Sequence, residues 1–245
     1  MDLKVIGIDC AADYKKIGMS LGKYVDGKIK VVEARVVINN ESIANVIHNW
    51  IGDDNTVLIA IDAPLGWPTS MGLHLLNHSA GQALSINANN MFRRETDKFI
   101  KRQYSKQPLD VGADKIARTA HSAVSIINEL REISGNKVEL AWTREGIEDI
   151  AIIEVYPAIT LGCYGITNSG YKKKEQIDVR KEIVAKLNEE VDFCIDTDIL
   201  KTNDDVLDSV VCLLAAKDFI ENNVYYPQDM GLAIKEGWIW ARKLR

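Results

Sequence analysis

The feature that most constrains this chain is where its acids fall. Three strand-length apolar runs each finish on a carboxylate: Asp9 in LKVIGID, Asp62 in TVLIAID and Glu154 in DIAIIEV. A fourth acidic group, Asp204-Asp205-x-x-Asp208, opens an apolar helical pattern near the C-terminus. A carboxylate at the edge of an apolar core costs free energy unless something compensates it. One such acid ordinarily caps a turn, and acids in a first helical turn ordinarily match the helix dipole. Four acidic positions at one predicted edge point instead to a shared site. Spacings of three (Asp205, Asp208) and four (Asp204, Asp208) place two of the helix carboxylates on one face.

The remaining pattern predicts that edge. Residues 3–9, 16–24 and 28–38 read as a three-stranded meander, with Asp26-Gly27 as a turn signal. Ser42 to Trp50 has helical spacing, with Ile43, Val46, Ile47 and Trp50 on one face. Residues 56–62 and 149–156 are continuous apolar runs of the kind buried on both sides, ended by Ala63-Pro64 and Pro157. Helices are predicted over 113–133, striped by Ile116, Ala120, Val124, Ile127 and Leu130, and over 175–190. A last helix spans 204–221, with Leu207, Val210, Val211, Leu214 and Ala215 facing a core. Residues 64–112 break the pattern, with Gly, Pro, Ser and Asn first and a basic stretch after. They read as an insertion of short helices and loops.

The expected architecture is one α/β domain over 1–245 with a mixed five-stranded sheet, the meander plus two parallel strands, and helices on both faces. The first strand lies centrally beside the 56–62 strand. Sites in open sheets form outside the carboxyl ends of strands, which is where Asp9, Asp62 and Glu154 fall.

Several function classes are disfavoured. The net charge of -5 gives no bulk attraction to a polyanion. Basic residues do cluster locally, in Arg93, Arg94, Lys98, Lys101, Arg102 and Lys106 and in Lys172-Lys173-Lys174. Solvated surface is the bland account of both patches. The cysteines Cys10, Cys163, Cys194 and Cys212 form no C-x-x-C pair, which argues against a zinc site or a disulfide framework and for a reducing cytoplasm. The apolar runs are strand-sized, so no membrane span is expected, and the N-terminus reads as a strand rather than a signal peptide. His74 and His78 are four apart, but Leu75 stands where the helical zinc pattern needs Glu. No glycine-rich phosphate loop is present. Trp67 lies in a Gly/Pro loop after Asp62 and is open to base stacking, whereas Trp238 reads as core. A homodimer is the commonest oligomer for a soluble chain.

Converging carboxylates repel one another, and oxygen-only donors prefer hard cations such as Mg²⁺ or Mn²⁺. Two such ions about 3.5–4 Å apart hold both the attacking water and the leaving oxygen of a phosphodiester displacement.

Six blocks carry a resemblance. They are G-I-D-C-A (7–11), I-D-A-P-L-G-W-P (61–68), R-x-T-D (94–97), E-V-Y-P-A (154–158), D-D-x-x-D-S-x-x-C (204–212) and E-G-W-I (236–239). Together the sequence resembles domain-of-unknown-function family 429, which is predicted to be nuclease-like with a ribonuclease H-like fold. The resemblance implies that Asp9 and Asp62 are the first- and fourth-strand acids. It implies that Asp205 and Asp208 are a helix pair like that of resolvase-type members. Glu154 carries over as the block glutamate. Arg94, Thr96 and Asp97 match the insertion motif, where Arg94 either binds phosphate or neutralises the acids. Ser209 stands where the family pattern leads one to expect Ala.

The expectation is therefore a nuclease or phosphodiesterase acting on nucleic acid. Asp9, Asp62, Glu154 and Asp208 would bind one or two Mg²⁺ or Mn²⁺ ions, with Asp205 assisting. Arg94, Thr96, Asp97, Lys98 and Trp67 would lie on the substrate side. The competing expectations are an actin- or sugar-kinase-like nucleotide binder and a noncatalytic metal- or partner-binding module of the same fold.

Overall fold

The computed structural model describes residues 2–38, 41–52, 56–112 and 114–244. β1 (Leu3–Asp9), β2 (Gly18–Val25) and β3 (Lys28–Val36) form the expected meander. Asp26 and Gly27 both take positive φ, 51° and 81°, the geometry of the tight hairpin turn that an Asp-Gly pair favours. α1 (Ile43–Ile51) follows, its first turn capped by Ser42, whose hydroxyl accepts from the Asn45 N–H at 3.2 Å. β4 (Val57–Asp62) then returns beside β1 and parallel to it.

The stretch 64–112 holds three helices, α2 (Thr69–Leu75), α3 (Ala88–Phe92) and α4 (Glu95–Tyr104). α5 (Asp114–Ser134) is the long helix expected from 113, and Ala113 itself lies outside the described residues. β5 (Val138–Leu140), β6 (Ile150–Glu154), α6 (Pro157–Cys163), α7 (Ile177–Glu190) and β7 (Val191–Phe193) come next. α8 (Asp198–Thr202), α9 (Asp204–Ile220) and α10 (Met230–Glu236) complete the order.

The sheet runs β5-β6-β4-β1-β2-β3-β7. It has seven strands where five were expected. The five expected strands occupy its centre, with β1 in the middle beside β4. The two additional strands are β5 and β7, three residues each and both parallel to their neighbours. Three residues are too few to display a period of two, so neither run leaves a pattern in the sequence.

Both faces of the central strands are buried, and the alternation of side chains assigns each residue to a face. Leu3, Val5, Leu58, Ala60, Ala151 and Ile153 join the core under α9, with Val206, Leu207, Val210 and Val211. Ile6, Ile8, Val57, Ile59, Ile61, Ile150 and Ile152 join the opposite core, under α1 and α5. α9 is buried along nearly its whole length and lies close against the sheet. A Cβ on Gly7 would fall 2.0 Å from the Ser209 carbonyl oxygen, so only glycine admits this approach. Ser209 itself is fully buried, donates to the Val206 carbonyl at 2.8 Å and receives the Ser20 hydroxyl on its own carbonyl at 2.8 Å. This contact needs a small residue at 209, and serine meets that need.

Candidate functional site

The carboxyl ends of β1 and β4 come into register, with Asp9 opposite Asp62. By strand alternation both belong to the α9 face, in step with Val5 and Gly7 on β1 and with Leu58 and Ala60 on β4. From across that face α9 brings Asp208, which is fully buried, and Asp205, one turn earlier and partly exposed. Burial raises the Asp9 carboxyl well above its usual range, and Asp208 and Asp62 add repulsion. Burial likewise lifts Asp62 to about 7, against the pull of Lys172 and with a push from Asp208. Asp205 rises to about 6, first from burial and then from its neighbour Asp204. Asp208 is raised by burial too, although Lys172 and Tyr171 work the other way. These acids therefore share one electrostatic environment.

One cation sits among them. The Lys172 Nζ is 2.5 Å from Asp208 Oδ2, and the Tyr171 hydroxyl donates to Asp208 Oδ1 at 2.8 Å. Burial works against the Lys172 charge, but Asp208, Asp9 and Asp62 together outweigh it and raise its pKa. Asp208 Oδ2 faces this ammonium without a hydrogen bond of good geometry. Sequence reasoning met Lys172 as part of a basic run, with solvated surface as the bland reading; its side chain is 54% exposed, and only its ammonium end reaches Asp208.

Glu154 takes a different place. The β4–β6 register sets it opposite Ile61, not Asp62, so alternation assigns it to the α1/α5 face. There it meets Arg94, from the loop before α4. Arg94 Nη1 donates to Glu154 Oε2 at 2.9 Å and Nη2 to Oε1 at 2.7 Å. Arg94 Nε and Nη2 also donate to the two oxygens of Asp97, at 3.2 and 2.9 Å, and Nη1 donates to the Glu236 carbonyl at 3.2 Å. These bonds use all five guanidinium N–H groups, which leaves no side-chain donor for a phosphate in this arrangement. Arg94, Asp97 and Glu154 are only 1%, 0% and 3% exposed. Glu154 also accepts the Leu65 N–H at 3.0 Å.

The same junction explains the E-G-W-I block. The Glu236 carboxylate accepts the backbone N–H groups of Thr69 and Glu95 at 2.7 and 2.8 Å, tying α10 to two helices of the insertion. A Cβ on Gly237 would sit 2.8 Å from Glu154 Oε2, and the residue's φ of 84° suits glycine alone. Trp238 is buried in the core, as its sequence context suggested. The Ile239 N–H donates to Thr96 Oγ1 at 2.8 Å, so Thr96 is occupied as an acceptor within the fold.

A cavity of about 680 Å³ opens over the strand ends. Asp9, Asp62, Glu154, Arg94 and Asp97 all contribute to its wall, as do Lys106, Lys172 and Lys173. Thr96, Lys98 and Trp67 do not line it.

The donor chemistry suits a hard divalent cation. The acids are oxygen donors, partly or fully buried and short of positive charge. Among the described residues, however, no three His, Cys, Asp or Glu side chains close around a single ion position as they stand. The Lys172 ammonium holds the place where positive charge is required. Also among the described residues, no helix is long and apolar enough to cross a membrane.

No curated protein matches the sequence. Among solved structures, T. thermophilus RuvC in complex with Holliday junction substrate is similar with a TM-score of 0.37 and 10% identity, over 88% of this chain and 94% of that chain. Residues 7–230 match the family described as "Protein of unknown function (DUF429)", a span that takes in the strand-end acids, the Arg94 junction and α9, and the chain belongs to that family.

Proposed function

We propose that this protein is a divalent-metal-dependent phosphodiesterase acting on nucleic acid. The observation that carries the reading is the pairing of Asp9 with Asp62 beneath Asp208, three carboxylates that act on the Lys172 ammonium. Such a group is unfavourable at neutral pH unless more positive charge arrives. The arrangement of β6-β4-β1-β2-β3, in which β2 alone runs antiparallel, supports the ribonuclease H-like fold implied by the sequence blocks.

In this reading Asp9, Asp62 and Asp208 hold Mg²⁺ or Mn²⁺, and Asp205 assists from the preceding turn. The bound cation would neutralise phosphate charge and lower the pKa of a water. The chain's own groups do the remaining work. Lys172 partly neutralises the carboxylates and offers its ammonium to the incoming phosphate. Lys106 and Lys173 line the same cavity and add attraction for an anion. Glu154 and Arg94 are positioning residues: their bidentate pair fixes the end of β6 and the start of α4 beside the site.

The test is cleavage of single-stranded and duplex DNA, RNA and branched DNA with Mg²⁺ or Mn²⁺. Cleavage that disappears in Asp62→Asn supports the reading. If every substrate stays intact while Mn²⁺ still raises the melting temperature, the protein is a noncatalytic metal-binding module.

A further inference from the structure

Near the start of α7 stands a buried charge with no part in the site described above. Arg180 is only 1% exposed, and among the described residues its hydrogen bonds all go to main-chain carbonyls. Nε donates to the Lys201 carbonyl at 2.7 Å. Nη1 donates to the carbonyls of Tyr171 and Lys173, the latter at 2.9 Å, and Nη2 to that of Lys174 at 3.3 Å. A guanidinium taken out of water is costly unless the protein supplies its acceptors, and here four carbonyls do so.

The acceptors show what the residue holds. Three belong to the turn 171–174, which supplies both donors to Asp208. The fourth lies in α8, two residues before Asn203, whose side chain caps α9 by accepting the Val206 N–H at 3.0 Å. One planar fork therefore joins the segment that carries Lys172 and Tyr171 to the segment that leads into the helix of Asp208. Lys172 is bracketed: the carbonyls before and after it both bind Arg180, and its ammonium meets Asp208 Oδ2 at 2.5 Å. Tyr171 is held at both ends, its carbonyl on Arg180 and its hydroxyl on Asp208 Oδ1 at 2.8 Å. The chain enters this turn through Gly170, whose φ of 81° suits glycine. Ile183, Val184 and Leu187 anchor α7 in the core, so the guanidinium is a fixed point against which the turn is set.

We propose that Arg180 is a positioning residue of the acidic site. By gathering the carbonyls of 171–174 and of Lys201, it sets the Lys172 ammonium and the Tyr171 hydroxyl on Asp208, and with them the charge that an incoming cation meets. Its consequence for cleavage rests on the phosphodiesterase reading above; its hold on Lys172 does not.

The experiment follows Lys172 directly, in the full chain without metal. Limited reductive methylation read by mass spectrometry compares Lys172 with its exposed neighbour Lys173. An amine bound to a carboxylate reacts slowly, so Lys172 should lag behind Lys173 in the wild-type chain. Arg180→Gln should raise the ratio of Lys172 to Lys173 labelling about tenfold. Arg180→Lys, which lacks the fork, should restore the lag only in part. Calorimetry gives a second readout: Arg180→Gln should tighten Mn²⁺ binding in the same direction as Lys172→Gln, and the double variant no further than either alone. No lag in the wild type, an unchanged ratio in folded Arg180→Gln, or additive effects in the double variant would overturn the inference and leave the phosphodiesterase reading intact. A raised ratio in a protein whose wild type cuts no substrate supports the inference and ends that reading. Should neither Arg180 variant fold, the half-exposed Lys172 supplies the reciprocal test. Lys172→Gln should then speed solvent exchange of the Arg180 Nε proton followed by NMR, and unchanged exchange would overturn the inference.

Discussion

Two groups of buried charge lie side by side at the carboxyl edge of this sheet, and they are built on opposite principles. In the first, Arg94 is clasped by Asp97 and Glu154, and every guanidinium N–H has an acceptor. In the second, Asp9, Asp62 and Asp208 face one ammonium, and a buried carboxylate oxygen lacks a hydrogen bond of good geometry. The first group is saturated. It ties α4, β6 and the turn after α10 into one unit, and its guanidinium has no N–H left to offer a ligand. The second is under-neutralised: burial raises its acids first, as it also raises Glu154, and mutual repulsion among Asp9, Asp62 and Asp208 adds to it. Both are acidic and buried, so burial alone does not separate a structural cluster from a reactive one. The balance of charge and hydrogen bonds does.

Breaking the saturated group should give the largest effect on stability. Arg94→Ala leaves two buried carboxylates with backbone N–H donors but without their cation, and removal of one member of a buried pair costs about 3–5 kcal/mol. Denaturant unfolding should show that loss. A value near zero would mean that the cluster is hydrated and not structural. The opposite outcome is expected from Asp62→Asn. It removes one of the repelling charges, so the metal-free protein should hold or gain stability. Cleavage should fall about 10²–10³-fold or more, and the Mn²⁺-induced rise in melting temperature should disappear. An equal loss of apo stability in both variants would erase the distinction between the groups.

Lys172→Gln sharpens the comparison further. Without the ammonium the acids lose their strongest counter-charge, so Mn²⁺ measured by calorimetry should bind more tightly, by about tenfold at most. Weaker Mn²⁺ binding would show that Lys172 organises the site instead of standing in for a cation.

The smallest effect is the pH dependence. Asp62 titrates near 7 in the folded protein against 3.8 for a free carboxyl, so the native state keeps a proton that the unfolded chain has already released. Native protein then binds more protons than unfolded protein, and stability falls as pH rises from about 4 towards 7. A bound divalent cation removes that loss. The Mn²⁺-induced shift in melting temperature should therefore be greater at pH 8 than at pH 5, with about 2–4 °C for each kcal/mol regained. A shift independent of pH would place the ion elsewhere.

Much of the frame was legible in the chain. Continuous apolar runs marked β4 and β6 because strands covered on both faces have no polar side to display. Asp26-Gly27 marked the hairpin because its backbone requires positive φ. The ends of β1 and β4 marked Asp9 and Asp62 because several apolar runs end on an acid at the same predicted edge, whereas a single such acid ordinarily caps a turn. The short edge strands β5 and β7 left no such trace, and neither did the fact that Glu154 and Asp62 face opposite sides of the sheet. The side on which a strand-end residue points depends on register between strands that lie far apart in sequence, and a shift of one residue reverses it.

Local chemistry thus determined the elements, the hairpin and the list of acids, since these follow from propensity and periodicity along the chain. Tertiary structure alone decided the partners. It gave Glu154 to Arg94, set the ammonium of the half-exposed Lys172 against Asp208 and joined Lys106 to Asn168. Each of those choices is set by long-range packing and charge balance, which no local stretch of sequence contains.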